Sequence, residues 1–317
     1  MADTKVRKET RTAYGETLVE LGAVNDKIVV MDADLSGSTK TGMFKKAYPD
    51  RFFNAGIAEQ NMVGVACGLA ASGYTVFCSS FAMFASGRAF EQIRNTAAHN
   101  NVNVKICASH AGITVGPDGA THQCLEDVGI MRTIPNMTII VPADAVEARL
   151  AIIEAAKLDG PVYMRFGRSA VPIVFDPDTY HFEIGKGALL RDGKDVTIIA
   201  SGITVEMALA AAETLAEEGI DARVINMATI KPIDKEIILK AAAETGAIVT
   251  AEEHNIIGGL GSAVCEVVAE GCPVPVVRVG VEDKFGVSGG VDELLDAFGL
   301  SDKNIVAKAK KAIELKK

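Results

Sequence analysis

Residues able to do chemistry concentrate in a few short stretches of this chain. In SHAGITVGPDGATHQ, residues 109–123, two histidines and an aspartate share a loop with Gly112, Gly116 and Gly119. The glycines permit positive φ or close approach of a ligand, and His110, Asp118 and His122 supply donors and acceptors for a polar substrate. The same three side chains could ligate a metal, but their spacing matches no specific metal motif; hydrogen bonding within the loop is the third reading. Glu59 opens the run EQNMVGVACGLAASG. A carboxylate in the first turn of a helix is favoured by the helix field, becomes costly to ionise where water is excluded, and can then serve as an acid or base; capping or a surface ion pair is the plainer alternative. Phe81 and Phe84, in SSFAMFASGR ahead of Arg88, are either the wall of an aromatic-base pocket or two core rings. Arg165 and Arg168 close a strand, where a guanidinium suits a phosphate, a carboxylate or an interdomain ion pair; Arg168 is nearer the loop.

Two further stretches are weaker. GGLGSAV, residues 258–264, reads as a glycine-rich anion loop entering a helix but lacks both the GxGxxG arrangement and a P-loop ending. Glu252, Glu253 and His254 precede it as a polar strand end that faces the first domain or another subunit.

The elements that must position these residues alternate in type. Short β-branched runs at 28–32, 75–79, 104–109, 138–141 and 161–166 are expected strands, and 10–21, 57–72, 85–98 and 143–157 expected helices. A polar, proline-bearing stretch from 168 to 194 breaks the pattern, which places a domain boundary near residue 185. Expected strands at 196–200, 222–227, 247–251 and 274–279 then alternate with helices at 205–218, 234–245, 260–270 and 292–298, before a lysine-rich amphipathic tail at 303–317. The expected fold is α/β, with two three-layer α/β/α domains, 1–185 and 186–317, each around a mainly parallel sheet. Gly64 and Gly68 lie inside the helix that Glu59 opens, where glycine costs about 1 kcal/mol relative to alanine, so a close helix crossing such as a subunit interface is expected there.

Length and composition agree with that division. The 317 residues are 49% hydrophobic and 23% charged, which excludes a disulfide scaffold and a disordered chain. A net charge of −9 disfavours nucleic-acid and anionic-membrane partners. No CxxC pair occurs among the six cysteines, which read as structural thiols of a reducing compartment. The absence of an apolar leader or an 18-residue apolar run gives a cytoplasmic expectation.

Taken together, FNAGIAEQNMVGVACGLAASG, SSFAMFASGRAFEQIR, SHAGITVGPDGATHQCLEDVGIMRTIPNM and AEEHNIIGGLGSAV resemble the carboxyl-terminal half of transketolase over nearly the whole chain. The resemblance implies a pyrimidine-binding domain followed by a transketolase C-terminal domain. It implies thiamine diphosphate as cofactor, with Mg²⁺ or Ca²⁺ held mainly by the diphosphate and by an amino-terminal subunit carrying the diphosphate-binding domain. The expected assembly is α2β2 with self-association, acting on sugar phosphates. By the same resemblance, Glu59 hydrogen-bonds N1′ of the cofactor's aminopyrimidine, Phe81 and Phe84 line its pocket, and Gly87 replaces a third aromatic. His110 and Asp118 contact substrate, His122 lies near the donor carbonyl, Arg168 and Ser38 hold phosphate, and Asp34 lies near the cofactor or an interface. A 2-oxoacid dehydrogenase β subunit, a 1-deoxyxylulose-5-phosphate-synthase-like enzyme and a noncatalytic assembly subunit are the competing readings.

Overall fold

The computed structural model of the protein describes residues 6–316; residues 1–5, part of the stretch read for a leader, and the final lysine of the tail lie outside the described residues. The β-branched runs become buried strands. Seven form one sheet, in the order Thr229–Lys231, Thr138–Ile140, Val162–Arg165, Val104–Ser109, Thr75–Phe81, Ile28–Asp32 and Phe52–Asn54. All neighbours in it are parallel except the first pair. The second sheet runs Val276–Val281, Ile248–Asn255, Val196–Ala200, Ala222–Asn226 and Ala188–Arg191, parallel until its last, antiparallel member. Parallel strands need helical crossovers that bury both faces, and the central runs are mainly apolar for that reason.

The two halves are knitted together. Thr229–Lys231 comes from the second half yet pairs with the edge of the first sheet, Thr229 opposite Ile140 and Lys231 opposite Ile139. The Lys231 ammonium donates to the carbonyls of Arg132 and Ile134 at 3.0 and 2.6 Å. One apolar core accordingly runs from Val76 and Ile106 of the first sheet to Ile199, Ile225 and Val264 of the second half.

A second tie forms around Glu147, which is fully buried in the helix Ala145–Lys157. Its carboxylate accepts from the Ala143 amide at 2.7 Å and, at 2.6 Å each, from the Tyr180 hydroxyl and the Asn226 amide, so it joins the first half to the connecting stretch and the second sheet. Burial pushes its pKa up from 4.5 to about 7. A raised carboxyl pKa gives stability that is complete below pH 4.5 and lost as pH rises through 7. Glu147→Gln cannot titrate, and its amide nitrogen cannot accept from Ala143, so it is expected to lower the thermal unfolding midpoint at pH 4.5 and to flatten its fall between pH 4.5 and 8, read by thermal scans at both values.

Several elements depart from expectation. The helix expected at 85–98 is broken into wide π turns, Phe84–Arg88 and Ile93–Ala98, flanking the short α turn Phe90–Gln92. The strands Arg7–Glu9, Ala170–Pro172, Phe52–Asn54, Ala188–Arg191 and Thr229–Lys231 were not expected; at three or four residues they are too short to show a periodicity. The tail folds as the amphipathic helix Asp302–Glu314 and buries Ile305, Val306, Ala309 and Ala312. The crossing expected at Gly64 and Gly68 is not made within the chain, because nothing lies within 4 Å of a Cβ built at either position. Among the described residues no helix is long and apolar enough to cross a membrane, and all six cysteines are free thiols.

Candidate active site

Four neighbouring parallel strands of the first sheet end along one edge, and a candidate residue follows each end. Asp34 follows Asp32, Phe81 is the last residue of Thr75–Phe81, His110 follows Ser109, and Arg168 lies three residues beyond Arg165. Ligands of open α/β sheets bind beyond the carboxyl ends of the strands. Asp34 and His110 take positive φ, 65° and 56°, a backbone conformation sparsely used by residues other than glycine.

Glu59 begins the helix Glu59–Ala71 after the turn at Gly56 and is only 3% exposed. Ser80 places its hydroxyl 3.4 Å from Oε1, and Arg88 donates to both carboxylate oxygens at 3.1 and 3.3 Å. Arg88 also lies over the Phe84 ring, 4.1 Å from its centroid. Phe84 stacks with Phe81 at 5.8 Å, and Phe81 stacks on His110 at 3.9 Å. His122 meets the edges of both phenylalanines at 5.3 and 6.3 Å. Glu59, Arg88, the two aromatic rings and the two histidines therefore form one continuous set of contacts.

A basic cluster extends from His110. Arg11 donates to the Ser38 carbonyl at 3.0 Å, pairs with Glu9 at 2.8 Å and approaches His110 Nε2 at 3.3 Å, while its Nε is buried with no hydrogen-bond partner. Burial first, then the charges of Arg11 and Arg168, push the His110 pKa down to about 3. The ring is thus neutral at pH 7. With Nε2 accepting from Arg11, Nδ1 carries the proton and donates to Ser109 Oγ at 2.9 Å.

The turn that carries Ser38 is held by a buried carboxylate. Asp32, fully buried, accepts from the Leu35 amide and from the Thr39 and Thr41 hydroxyls, the latter two at 2.6 and 2.9 Å. Arg168 is half-buried and donates to the Val115 carbonyl, which fixes it beside the 113–118 turn.

Asp118 is exposed at the end of that turn, and Asp34 is exposed and bonded to Asn54 at 3.0 Å; neither joins the contact set around Glu59. His122 is half-buried, with Nδ1 2.9 Å from the Thr121 hydroxyl. Gln123 ties this loop to the second half by donating to the carbonyls of Ile113, Gly116 and Val287. Sequence reasoning missed Arg11 altogether and assigned Arg88 no role. An arginine within KETRTAYGE gives no spacing signal, and only the fold brings it beside His110.

Two other motifs resolve into structure. Arg165 is a buried ion-pair partner of Asp127 at 2.9 Å and also donates to the carbonyls of Cys124 and Glu253, so its reach toward a phosphate is taken up. GGLGSAV offers no free anion loop: the Glu252 carboxylate already accepts from the Leu260 and Gly261 amides at 2.7 and 2.8 Å. Glu253 and His254 face the first half, accepting from the Thr114 and Gly129 amides. Among the described residues no cluster of three or more His, Cys, Asp or Glu side chains is arranged to hold a metal ion.

Residues 7–174 match the family described as transketolase, pyrimidine binding domain, and residues 185–305 the family described as transketolase, C-terminal domain. The chain is 47% identical over 307 residues to a 6-deoxy-6-sulfo-D-fructose transketolase subunit of Clostridium sp. (strain MSTE9), covering 96% of this chain and 95% of that one. It is 43% identical over 295 residues to an apulose-4-phosphate transketolase subunit of Phocaeicola vulgatus, covering 93% and 94%. A solved structure described as a split gene transketolase in an inactive beta4 tetramer superposes with a TM-score of 0.90 at 56% identity, covering 98% of this chain and 99% of that one.

Proposed function

The chain belongs to the transketolase family, and from that premise we propose that it is the carboxyl-terminal subunit of a split transketolase. It would transfer a two-carbon ketol unit from a ketose phosphate such as xylulose 5-phosphate to an aldose phosphate such as ribose 5-phosphate. A separate amino-terminal subunit with the diphosphate-binding domain would complete the site, in an α2β2 assembly. The observation that carries this reading is the buried Glu59 carboxylate beside the Phe81–Phe84 stack, continuous with a cluster of basic side chains.

These residues fit thiamine diphosphate. Phe84 offers a flat apolar face, already holding one planar group, beside a carboxylate able to accept from a ring nitrogen. When bound, the cofactor supplies an electron sink for the two-carbon fragment. Glu59 would accept the hydrogen bond of pyrimidine N1′, with Ser80 supporting the carboxylate. His122, its Nδ1 engaged by Thr121, would present Nε2 to a substrate oxygen and hold or pass a proton there. Asp118 would read a sugar hydroxyl from the loop, and Asp34 would lie near the cofactor or a subunit contact. Arg168, Ser38, His110 and Arg11 would hold the phosphate. The neutral ring of His110, its Nδ1–H given to Ser109 and its Nε2 facing Arg11, lines this cluster without adding a charge, and Arg11 and Arg168 supply the charged donors. The anionic sugars named for two relatives, one a sulfo sugar and one a phosphate, suit the same basic cluster. Magnesium or calcium would be held chiefly by the diphosphate and the partner subunit.

The deciding experiment is thiamine-diphosphate-dependent ketol transfer from xylulose 5-phosphate to ribose 5-phosphate, by this chain alone and mixed with the amino-terminal subunit. Activity in the mixture alone supports the proposal. A stable, cofactor-loaded complex that is inactive on these sugars refutes the substrate assignment. Arg168→Ala is expected to lower kcat/KM for phosphorylated sugars by about 10- to 100-fold, the worth of a charge-assisted contact, and to change that for unphosphorylated sugars little. An unchanged preference between the two rejects the assignment of Arg168.

A further inference from the structure

Arg88 takes both of the contacts that the proposed site reserves for the aminopyrimidine. Its guanidinium is planar, cationic and rich in N–H donors; it bonds Glu59 at 3.1 and 3.3 Å and covers the Phe84 ring at 4.1 Å. Phe84 and Arg88 are four residues apart at the ends of the wide turn Phe84–Arg88 and so lie on one side of it, and turns of this kind recur at functional sites.

Arg88 also divides two concavities. One, of about 660 Å³, is lined by Ile57, Ala58, Glu59, Gln60 and Asn61 together with Arg88. The other, of about 770 Å³, carries Arg88 and Phe84 on one wall and Thr121, Glu126 and Asp283 among its other lining residues. Arg88 is the residue common to both linings, so it stands between the Glu59 concavity and the one lined by Thr121 and Gln123 of the loop that bears His122, and the exposed carboxylates of Glu126 and Asp283 line the latter.

We propose that Arg88 is a removable stand-in for the cofactor's aminopyrimidine: it keeps Glu59 partnered and Phe84 covered in the free subunit, and gives up both contacts when thiamine diphosphate is taken up. This rests on the thiamine reading of the site above. The side chain is suited to exchange because half of it is exposed, so water screens the guanidinium in both its ion pair and its stacking contact, although the Glu59 carboxylate it meets is buried. The contact therefore taxes cofactor binding by a small factor, since the competent arrangement is only fractionally populated before the cofactor arrives.

The test is calorimetric titration of thiamine diphosphate, with Mg²⁺, into the complex reconstituted from this chain and the amino-terminal subunit. Arg88→Met keeps an apolar stem over Phe84 and removes the charge and donors; it is expected to bind the cofactor about 3- to 10-fold more tightly than wild type, the combined worth of a half-exposed ion pair and a half-exposed cation–π contact. Arg88→Lys keeps the charge without the flat face and should fall between the two, and it stands in if the Met variant fails to assemble. Unchanged or weakened binding in either variant, with a wild-type complex that does bind, overturns the role of Arg88 alone. A well-assembled wild-type complex that takes up no thiamine diphosphate overturns the function reading and this proposal with it.

Discussion

Glu59→Gln is expected to lower ketol transfer by the reconstituted enzyme by about 10²- to 10⁴-fold, the range for loss of an acid–base group, with the fold retained. Glutamine keeps the size of the side chain at a position that is 3% exposed, so no cavity opens in the helix Glu59–Ala71. What it removes is the charge that Arg88 and Ser80 surround and that the proposed mechanism needs opposite a pyrimidine nitrogen. The checks are initial rates at saturating cofactor and a thermal scan of the free chain. Near-normal transfer with an intact fold would remove Glu59 from the mechanism.

Arg165→Met is expected to have the largest effect on stability, a loss of about 3–5 kcal/mol. Arg165 is 6% exposed and its partner Asp127 fully buried, so the substitution strands a carboxylate away from water with, among the described residues, the Tyr163 hydroxyl at 2.8 Å to answer it. It also releases the carbonyls of Cys124 and Glu253, one from each half of the molecule, which Arg165 bridges. Urea unfolding would show the loss as a lower midpoint at an unchanged slope. Replacing both partners by apolar residues should recover much of it, because the cost lies in breaking the pair rather than in lacking one. A midpoint within error of wild type for Arg165→Met would show that the pair contributes nothing.

How far the sequence could be read depended on whether its signals were local. The strand Val104–Ser109 and the helix Lys235–Thr245 announced themselves because burial on both faces or on one face repeats along the run. Glu59 stood out as the one carboxylate opening a helix of small residues, and the pattern that singled it out also fits its burial. Arg165 kept two meanings until its distance to Asp127 was known, since nothing near it in sequence reveals a partner 38 residues away. GGLGSAV misled for the same reason: the anion its amides receive is the side chain of Glu252, eight residues from Leu260. The pairs Arg7–Glu9 with Ala170–Pro172 and Thr229–Lys231 with Thr138–Ile140 are formed by segments remote in sequence and too short for a repeat, so only the folded chain could disclose them.

The strand Thr229–Lys231, lent by the second half to the first sheet, bears on how this protein can be cut and recombined. A fragment ending near residue 185 would carry Thr138–Ile140 as a bare edge, its backbone groups open to pairing with any other extended chain. A chimera that took only its second half from a relative would have to match the borrowed strand, and the Lys231 contacts to Arg132 and Ile134, to a foreign edge. The boundary expected near residue 185 is therefore not a seam along which the strand Thr229–Lys231 and the edge it covers can be parted without cost.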